Sequence, residues 1–201
     1  MLKRLVKTMH RDEKGITGLE TAIILIAFVV VASVFAYTVL SAGIFSSQKG
    51  QEAVYTGLQH ARSTLLMKGD VVAHCNSTTV QTLVICLGNA LNGESIDLTA
   101  PIDNGNGTAA GNSTNVVVVS YSSSNVRTDD IYWTASQLGK GDNDQMLDPG
   151  ETFEMTIYMA GAGETIGPYT TINIDIKTPI GSVLVIQRST PAALADYMIL
   201  H

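Results

Sequence analysis

The sequence predicts an α+β fold in which one long apolar N-terminal helix is followed by an antiparallel β-sandwich. Three observations lead to this prediction. Residues 21–47 contain no charged side chain and no proline. After Lys68 the composition changes to Thr, Ser, Asn, Gly and Val, which is typical of an exposed β domain. Five or more short strand patterns then follow one another without a helical pattern between them, which favours antiparallel sheets.

Residues 1–15 form a basic leader. They contain five basic side chains against two acidic ones. Basic residues immediately before a long apolar segment place the N-terminus in the cytoplasm and the rest of the chain outside. The apolar segment is longer than that of a secretory signal and lacks a small-x-small cleavage site at its far end. We therefore expect cleavage before it, at the boundary DEKG-ITGLE, where Gly15 precedes Ile16.

The long hydrophobic helix is predicted over residues 16–68. Its apolar part, residues 21–47, spans about 40 Å at 1.5 Å per residue, which exceeds the roughly 30 Å hydrocarbon core of a bilayer. A helix that is apolar on every side must be buried in lipid or against copies of itself. An apolar seam continues to Leu65 at three- and four-residue spacings, which is typical of packed helices. Lys68 and Gly69 are expected to mark the helix end.

Gly43, Gly50 and Gly57 recur every seven residues and therefore lie near one side of the predicted helix. Each glycine costs about 1 kcal/mol relative to alanine inside a helix. Their interval indicates close helix-to-helix approach, as small residues allow in membranes. A kink or local flexibility at Gly50 is the alternative.

Glu20 is the one residue with a charge at neutral pH between Ile16 and Gln48. A carboxylate in an apolar segment is costly unless it is paired. Cleavage after Gly15 would supply a partner, the new α-amine of Ile16, in the same chain or in a neighbouring copy. A carboxylate in the first turn would also meet the positive end of the helix dipole. The alternative is a flanking charge at the membrane interface.

The charge balance argues against nucleic acid as a partner. The formal net charge is −6, and the residues after the leader contain 7 basic and 16 acidic side chains. No Ser/His/Asp arrangement, Gly-rich phosphate loop or carboxylate pair rises above chance, and the four histidines are not at metal-ligand spacing. We therefore expect that the protein is not an enzyme.

The outer β-sandwich domain is predicted over residues 69–201. The clearest strand patterns are residues 80–87, 115–121, 152–159, 170–177 and 182–187, with a shorter one at 131–133. Thr178-Pro179-Ile180-Gly181 predicts the turn between the last two strands. The closing residues 190–200 are apolar enough to pack against the domain.

The two cysteines, Cys75 and Cys86, both follow the apolar helix. In an oxidising exterior they can pair as a disulfide that closes a short loop and contributes about 2–3 kcal/mol. The alternative is two buried free thiols on strand faces.

Three N-glycosylation sequons begin at Asn76, Asn106 and Asn112, all in turn-like sequence of the outer domain. Their position makes them accessible acceptors for an extracellular glycan. Chance occurrence in an Asn-, Ser- and Thr-rich sequence is the alternative.

An acidic loop at residues 141–151 has the composition of a hard-cation site. Ca²⁺ prefers several oxygen ligands on a bent loop, although the spacing is not that of an EF-hand. The alternative is a solvated acidic turn, and no other cofactor is expected. The candidate ligands are Asp142, Asn143, Asp144, Asp148 and Glu151.

The leader ending in Gly15, the segment ITGLETAIILIAFVVVASVFAYTVLSAGIFSSQKGQEAV and the closing KTPIGSVLVIQRSTPAALADYMILH resemble the archaellins, the archaeal flagellins with a type IV pilin-like N-terminus. The boundary after Gly15 is similar to the class III signal peptide of type IV pilins and archaellins, which a membrane aspartyl peptidase cuts after the glycine. Residues 43–52, GIFSSQKGQE, are the most specific part of the resemblance, which is weak in the middle of the chain.

This resemblance implies a structural subunit of the archaellum, the swimming filament of archaea. Its helices would bundle into a core, and immunoglobulin-like outer domains, some with a bound metal, would form a glycosylated extracellular surface. The implied partners are other archaellin copies, the leader peptidase, an assembly ATPase and a membrane platform, and the membrane holds the precursor transiently. The rival hypotheses are an adhesive type IV pilin and a membrane-anchored extracellular ligand-binding protein.

Overall fold

The computed structural model describes residues 2–90 and 93–201, with side chains from residue 18 onward. The chain divides into two compact units, Met1–Val54 and Tyr55–His201. One helix, α1 (Leu2–Arg62), forms the first unit and contributes its last eight residues to the second. The second unit contains the strands β1 (Leu65–Met67), β2 (Val71–Asn76), β3 (Thr79–Asn89), β4 (Ile96–Asp97), β5 (Val118–Ser122), β6 (Arg127–Thr128), β7 (Trp133–Gln137), β8 (Met146–Leu147), β9 (Phe153–Tyr158), β10 (Thr171–Lys177), β11 (Leu184–Ser189) and β12 (Tyr197–Leu200).

The strands form two larger sheets and one short pair, and every pairing is antiparallel. The larger sheet has the order β12-β2-β3-β9-β7, with β1 also paired to β3. The second sheet has the order β11-β10-β5-β6, and β4 pairs with β8. A 3-10 helix, Met159–Ala162, follows β9. The last strand of the chain therefore lies beside β2, near the start of the unit.

The two larger sheets share one hydrophobic core. Side chains alternate between buried and partly exposed along β9 and β10, as a strand with one face on the core requires. Leu83 and Ile157 from the larger sheet belong to the same buried cluster as Tyr121 and Ile174 from the second. This packing of sheet on sheet confirms the predicted α+β fold with an antiparallel sandwich.

The five clearest strand predictions are confirmed within a few residues, as β3, β5, β9, β10 and β11. The shorter prediction at 131–133 is displaced, since the strand begins at Trp133 and Ile131 instead donates its N–H to Val119 O at 2.8 Å. The predicted turn between β10 and β11 is present, with the Thr178 hydroxyl donating to Ile180 O at 2.8 Å. The C-terminal segment also packs, through β12 and the buried Leu200.

The predicted helix end at Lys68 is wrong, because α1 ends at Arg62 and Leu65–Met67 is a strand. β1 pairs with the last residues of β3, with Leu65 opposite Asn89. Pairing and burial of Leu65 outweigh the local helical pattern. Gly69 has a φ of 91° and lies in the turn after β1, and Lys68 donates to Glu151 O and Thr152 Oγ1, both at 3.0 Å.

Candidate assembly surface

The described side chains of α1 form a long, exposed apolar surface. Gly18–Arg62 is 45 residues long and apolar enough to cross a membrane, and none of its most apolar window is buried. The aromatic residues are as open as the aliphatic ones, with Phe28, Phe35 and Tyr37 at 70%, 70% and 73% exposure. A surface of this size is unstable in water and requires lipid or other apolar helices around it.

Three hydroxyl groups within this apolar segment are satisfied by the helix itself. Thr21 Oγ1 donates to Gly18 O at 3.0 Å, Ser33 Oγ to Val30 O at 2.8 Å and Thr38 Oγ1 to Phe35 O at 2.8 Å. Each hydroxyl is therefore bonded without water. The segment can pass from lipid to a protein core with these donors paired throughout.

The helix surface also has a shallow concavity of about 300 Å³. Its lining residues have the i, i+3, i+4, i+7 spacing of one helix face. Residues at this spacing form the holes that receive side chains from a neighbouring helix. The lining residues are Tyr37, Leu40, Ser41, Ile44, Phe45 and Gln48.

Glu20 is exposed on α1, the only charged side chain on the helix between Gly18 and Gln48. Gly15 and Ile16, the predicted processing site, lie outside the residues whose side chains are described. The pairing of Glu20 with the amine of Ile16 therefore stays a prediction.

The three sequon asparagines are all exposed and lie in or next to turns of the second unit. Asn76 ends β2 at a two-residue hairpin in which Ser77 has a φ of 44°. Asn106 donates its N–H to Asn104 Oδ1 at 2.7 Å in a tight loop, and Asn112 lies in the turn that Ser113 closes on Ala110 O. These positions suit glycan attachment, which stays a prediction.

The predicted disulfide between Cys75 and Cys86 is wrong, because both thiols are free. Cys75 lies opposite Val80 on β3, and Cys86 is six residues farther along β3, opposite Glu154 of β9. Six residues of strand span about 20 Å, whereas a disulfide requires Cα atoms within about 7 Å. Burial, and then the nearby Asp196 carboxylate, raise the pKa of the Cys75 thiol, which disfavours its reactive thiolate.

The acidic loop uses its partly buried carboxylates as hydrogen-bond acceptors. Glu151 accepts from Gln137 Nε2 at 2.5 Å and from the N–H of Asp148 at 3.1 Å. Asp148 accepts a short hydrogen bond from Ser95 Oγ. Among the described residues, no group of three or more His, Cys, Asp or Glu side chains is arranged to hold a metal ion. The predicted ligands therefore lie in a turn that hydrogen bonds stabilise, and Ca²⁺ binding there stays a prediction. These ligands are Asp142, Asn143, Asp144, Asp148 and Glu151.

The end of α1 is attached to the β-strands by contacts that were not predicted from the sequence. His60 Nδ1 accepts from the N–H of Gly181 at 3.3 Å, and Thr64 Oγ1 contacts Ser182 Oγ at 3.3 Å. Thr64 also donates this hydroxyl to His60 O at 2.9 Å. These contacts join residues about 120 positions apart. The sequence predicted the turn Thr178-Pro179-Ile180-Gly181, but not its contact with the helix end.

Comparison with known proteins places these features in one family. A sequence model described as archaeal-type flagellin matches residues 15–188. The chain is 37% identical over 196 residues to Probable flagellin 1 of Archaeoglobus fulgidus, an alignment that covers 94% of this chain and 96% of that protein. It resembles the structure of the archaeal flagellum of Methanospirillum hungatei strain JF1 with a TM-score of 0.64, 26% identity and coverage of 92% of this chain and 99% of that chain.

A second solved structure supports the fold alone. The crystal structure of archaeal flagellin FlaB1 from Methanocaldococcus jannaschii matches with a TM-score of 0.54 and 14% identity, over 69% of this chain and 96% of that chain. The family match spans both the apolar helix and nearly all of the β-strands. The chain therefore belongs to the archaeal-type flagellin family.

Proposed function

We propose that the chain is a structural subunit of the archaellum, the swimming filament of archaea, and polymerises through its N-terminal helix. The observation that carries this function is the uncovered apolar surface of α1, with the hydroxyls of Thr21, Ser33 and Thr38 bonded within the helix. Family membership and the resemblance to a flagellar filament support it. The filament is extracellular, and the subunit is a structural protein without a catalytic role.

Assembly transfers the helix from lipid to a bundle of helices. Both surroundings are apolar, so the driving force is close packing of side chains and small residues rather than removal of apolar surface from water. The concavity around Leu40 and Ile44 gives each helix a place for a neighbour's side chain. The gain per subunit is modest and repeats along the polymer, which consists of copies of this chain or of this chain with other archaellins.

Processing at Gly15 precedes assembly in this proposal. A membrane leader peptidase removes residues 1–15, the basic leader that holds the precursor in the membrane with its N-terminus in the cytoplasm. The new amine of Ile16 then pairs with Glu20. An assembly ATPase and a polytopic membrane platform move the mature subunit into the filament. Sequencing of the mature N-terminus should give Ile16, and a mature chain that retains Met1 would contradict this step.

Replacement of Glu20 by alanine tests the role of its carboxylate. The variant removes a costly intramembrane charge, so insertion of the precursor should be unaffected. Filament yield should fall, because the amine of Ile16 loses its partner in the assembled core. Membrane fractionation measures the first effect, and the mass of filaments sheared from cells measures the second. A yield equal to wild type would show that Glu20 is only a flanking charge.

Glycans are attached at Asn76, Asn106 and Asn112 in this proposal, on the exposed turns of the extracellular unit. Thr78 and Thr114, the hydroxyl residues of two of the sequons, are exposed, as the transferase requires. Glycopeptide mass spectrometry of purified filaments tests each site separately. Three unmodified asparagines would contradict the proposal.

Deletion of the gene distinguishes the proposed function from its rivals. Loss of swimming filaments, restored by the wild-type gene, is the expected result. Loss of surface attachment with swimming intact would instead identify an adhesive type IV pilin. Retention of both would indicate a membrane-anchored ligand-binding protein. Electron microscopy and motility assays on the same strains measure these outcomes.

A further inference from the structure

A polar groove lies on the second unit beside the hairpin that joins β2 and β3. It consists of two adjacent cavities of about 340 and 650 Å³ that share Glu164 and Thr165. These volumes are in the range of small-molecule sites. We name the two cavities together the Glu164 groove. Its other residues nearest the hairpin include Thr79 and Gln81, and those at the far end include Asn125, Tyr169 and Asn173.

The chemistry of the lining favours a neutral ligand rich in hydroxyl groups. Glu164 is the only charged side chain among the lining residues, and serine, threonine, asparagine and glutamine supply most of the rest. Hydroxyl and amide groups both donate and accept hydrogen bonds, which matches a sugar. An anion would be repelled by the carboxylate, and a hard cation would find too few charged oxygens.

The carboxylate of Glu164 is fixed in place. The Tyr121 hydroxyl donates to Glu164 Oε1 at 2.6 Å, and Tyr121 is itself completely buried. Hydrogen bonds from Ser123 and then from Tyr121 lower the pKa of Glu164, so it is a charged acceptor at neutral pH. The groove therefore presents one strong, oriented acceptor for ligand hydroxyls.

The loop that forms one wall of the groove is also held firmly. Val80 donates its N–H to Ile166 O at 2.9 Å. Thr190, which is buried, donates its hydroxyl to Gly167 O at 2.7 Å and accepts from the N–H of Thr170 at 2.8 Å. The wall is thus formed before any ligand arrives, which lowers the entropic cost of binding.

Tyr169 presents an aromatic ring at this wall. Its φ of 56° is unusual for a bulky residue, and its side chain is 80% exposed. A residue held in such a conformation costs about 1–3 kcal/mol and persists only where its surroundings impose it. The ring offers a flat apolar face beside hydroxyl and amide groups, which suits the C–H face of a sugar ring.

The sequon residue Asn76 lies at the edge of the Glu164 groove. It is paired with Thr79 in the hairpin, and directly opposed residues lie on the same face of a sheet with Cβ atoms about 5 Å apart. Gln81 is two residues farther along that face and donates to Thr79 Oγ1 at 2.7 Å. A glycan on Asn76 therefore begins beside two residues that line the groove.

We propose that the Glu164 groove holds the oligosaccharide attached to Asn76 of the same subunit. The inference rests on the proposed glycosylation of this residue. Because the sugar is tethered, its effective concentration at the groove is high and weak contacts suffice. The packed glycan covers the Tyr169 ring and restrains the loop of residues 163–170.

Hydrogen exchange of wild-type filaments tests this restraint against two matched variants, Asn76→Gln and Asn112→Gln. Each removes one sequon, and of these two asparagines only Asn76 is paired with a residue that lines the groove. Glycopeptide mass spectrometry first establishes occupancy. We expect exchange in residues 163–170 to be several-fold faster in Asn76→Gln than in wild type, and unchanged in Asn112→Gln.

Variants of Tyr169 separate the glycan contact from a general structural role. Tyr169→Asn removes the ring with a residue that tolerates a positive φ, and Tyr169→Phe keeps the ring. We expect Tyr169→Asn to accelerate loop exchange as much as Asn76→Gln does, with no further increase in the double variant and wild-type exchange in Tyr169→Phe.

The outcomes distinguish this inference from the proposal on which it rests. An unmodified Asn76 would contradict glycosylation of this residue and the inference with it. An occupied Asn76 together with wild-type exchange in Asn76→Gln would overturn the inference alone. The inference would also be overturned if Tyr169→Asn accelerated hydrogen exchange in residues 163–170 equally with and without the Asn76 glycan.

Discussion

Ile157 lies on β9, between β3 and β7 of the larger sheet, and its side chain is completely buried. It pairs with Leu83 on one side and with Trp133 on the other. Ile157→Ala would leave a cavity that neighbours on both strands border, so we expect a loss of about 3–4 kcal/mol in the free energy of unfolding. Denaturant unfolding of the detergent-solubilised chain, followed by the fluorescence of the single tryptophan, measures it.

Ile199→Ala is the matched control for this prediction. Its side chain is 48% exposed on the edge strand β12, so its truncation leaves no closed cavity. We expect a loss of less than about 1 kcal/mol. Equal losses in Ile157→Ala and Ile199→Ala would contradict the described core.

Glu164 should make stability depend on pH in the acid range. Hydrogen bonds from Ser123 and Tyr121 lower its pKa in the folded state below the ordinary value of about 4.3. This stabilisation is present above that value and is lost as pH falls through the lower, folded pKa. We expect Glu164→Gln to be less stable than wild type at pH 7, with a difference that shrinks as the pH falls below about 4. Thermal melts from pH 3 to 7 test this, and a difference independent of pH would refute it.

The junction between α1 and the β10–β11 turn depends on Gly181. This residue has a φ of 122°, and an added Cβ would collide with the carbonyl oxygen of Ser63. Gly181→Ala should therefore displace the turn from His60 and lower stability by about 1–3 kcal/mol. Gly111→Ala, where a Cβ meets nothing, is the control and should be nearly neutral. Denaturant unfolding compares the two, and matching midpoints would show that the junction adds nothing to stability.

The elements that the sequence predicted best are those with strong local patterns. The apolar helix and the alternating strands β9 and β10 were predictable because each pattern spans many residues and has one physical solution. The helix end was not predictable, because Leu65–Met67 becomes a strand only by pairing with β3. β2 and β12 were not predicted for the same reason, because each becomes a strand through pairing with a neighbouring strand.

The two cysteines show where local patterns cease to be informative. Their spacing allowed a loop, but the register of β2 against β3 places Cys75 opposite Val80 and leaves Cys86 beyond the end of β2. The Glu164 groove was not predictable either, because its residues come from β3, the β5–β6 turn, the 3-10 helix, the loop before β10 and β10 itself. Pairing between strands that are distant in sequence forms the groove and holds the two thiols too far apart for a disulfide.

Across the whole chain, the apolar helix should determine assembly while the second unit folds independently of it. Val34→Asp places a charge in the middle of the exposed apolar surface, where insertion into a membrane costs about 3 kcal/mol. We expect at least a tenfold loss of sheared filament mass. Val183→Asp, at an exposed valine outside the helix, should assemble nearly as wild type does. Normal filament yield from Val34→Asp would contradict the assigned surface.

The position of β12 sets the order in which a newly made chain can fold. Its residue Tyr197 pairs with His74, so the larger sheet is closed by residues that are synthesised about 120 positions after β2. Contacts between such distant residues form slowly, because a long loop must close first. The helix, by contrast, consists of local contacts and is synthesised well before β12. Until then, the outer edge of β2 offers unpaired N–H and C=O groups to any neighbouring chain. A subunit that lacks β12 (Tyr197–Leu200) should therefore still enter the membrane, and it should aggregate once its second unit begins to fold.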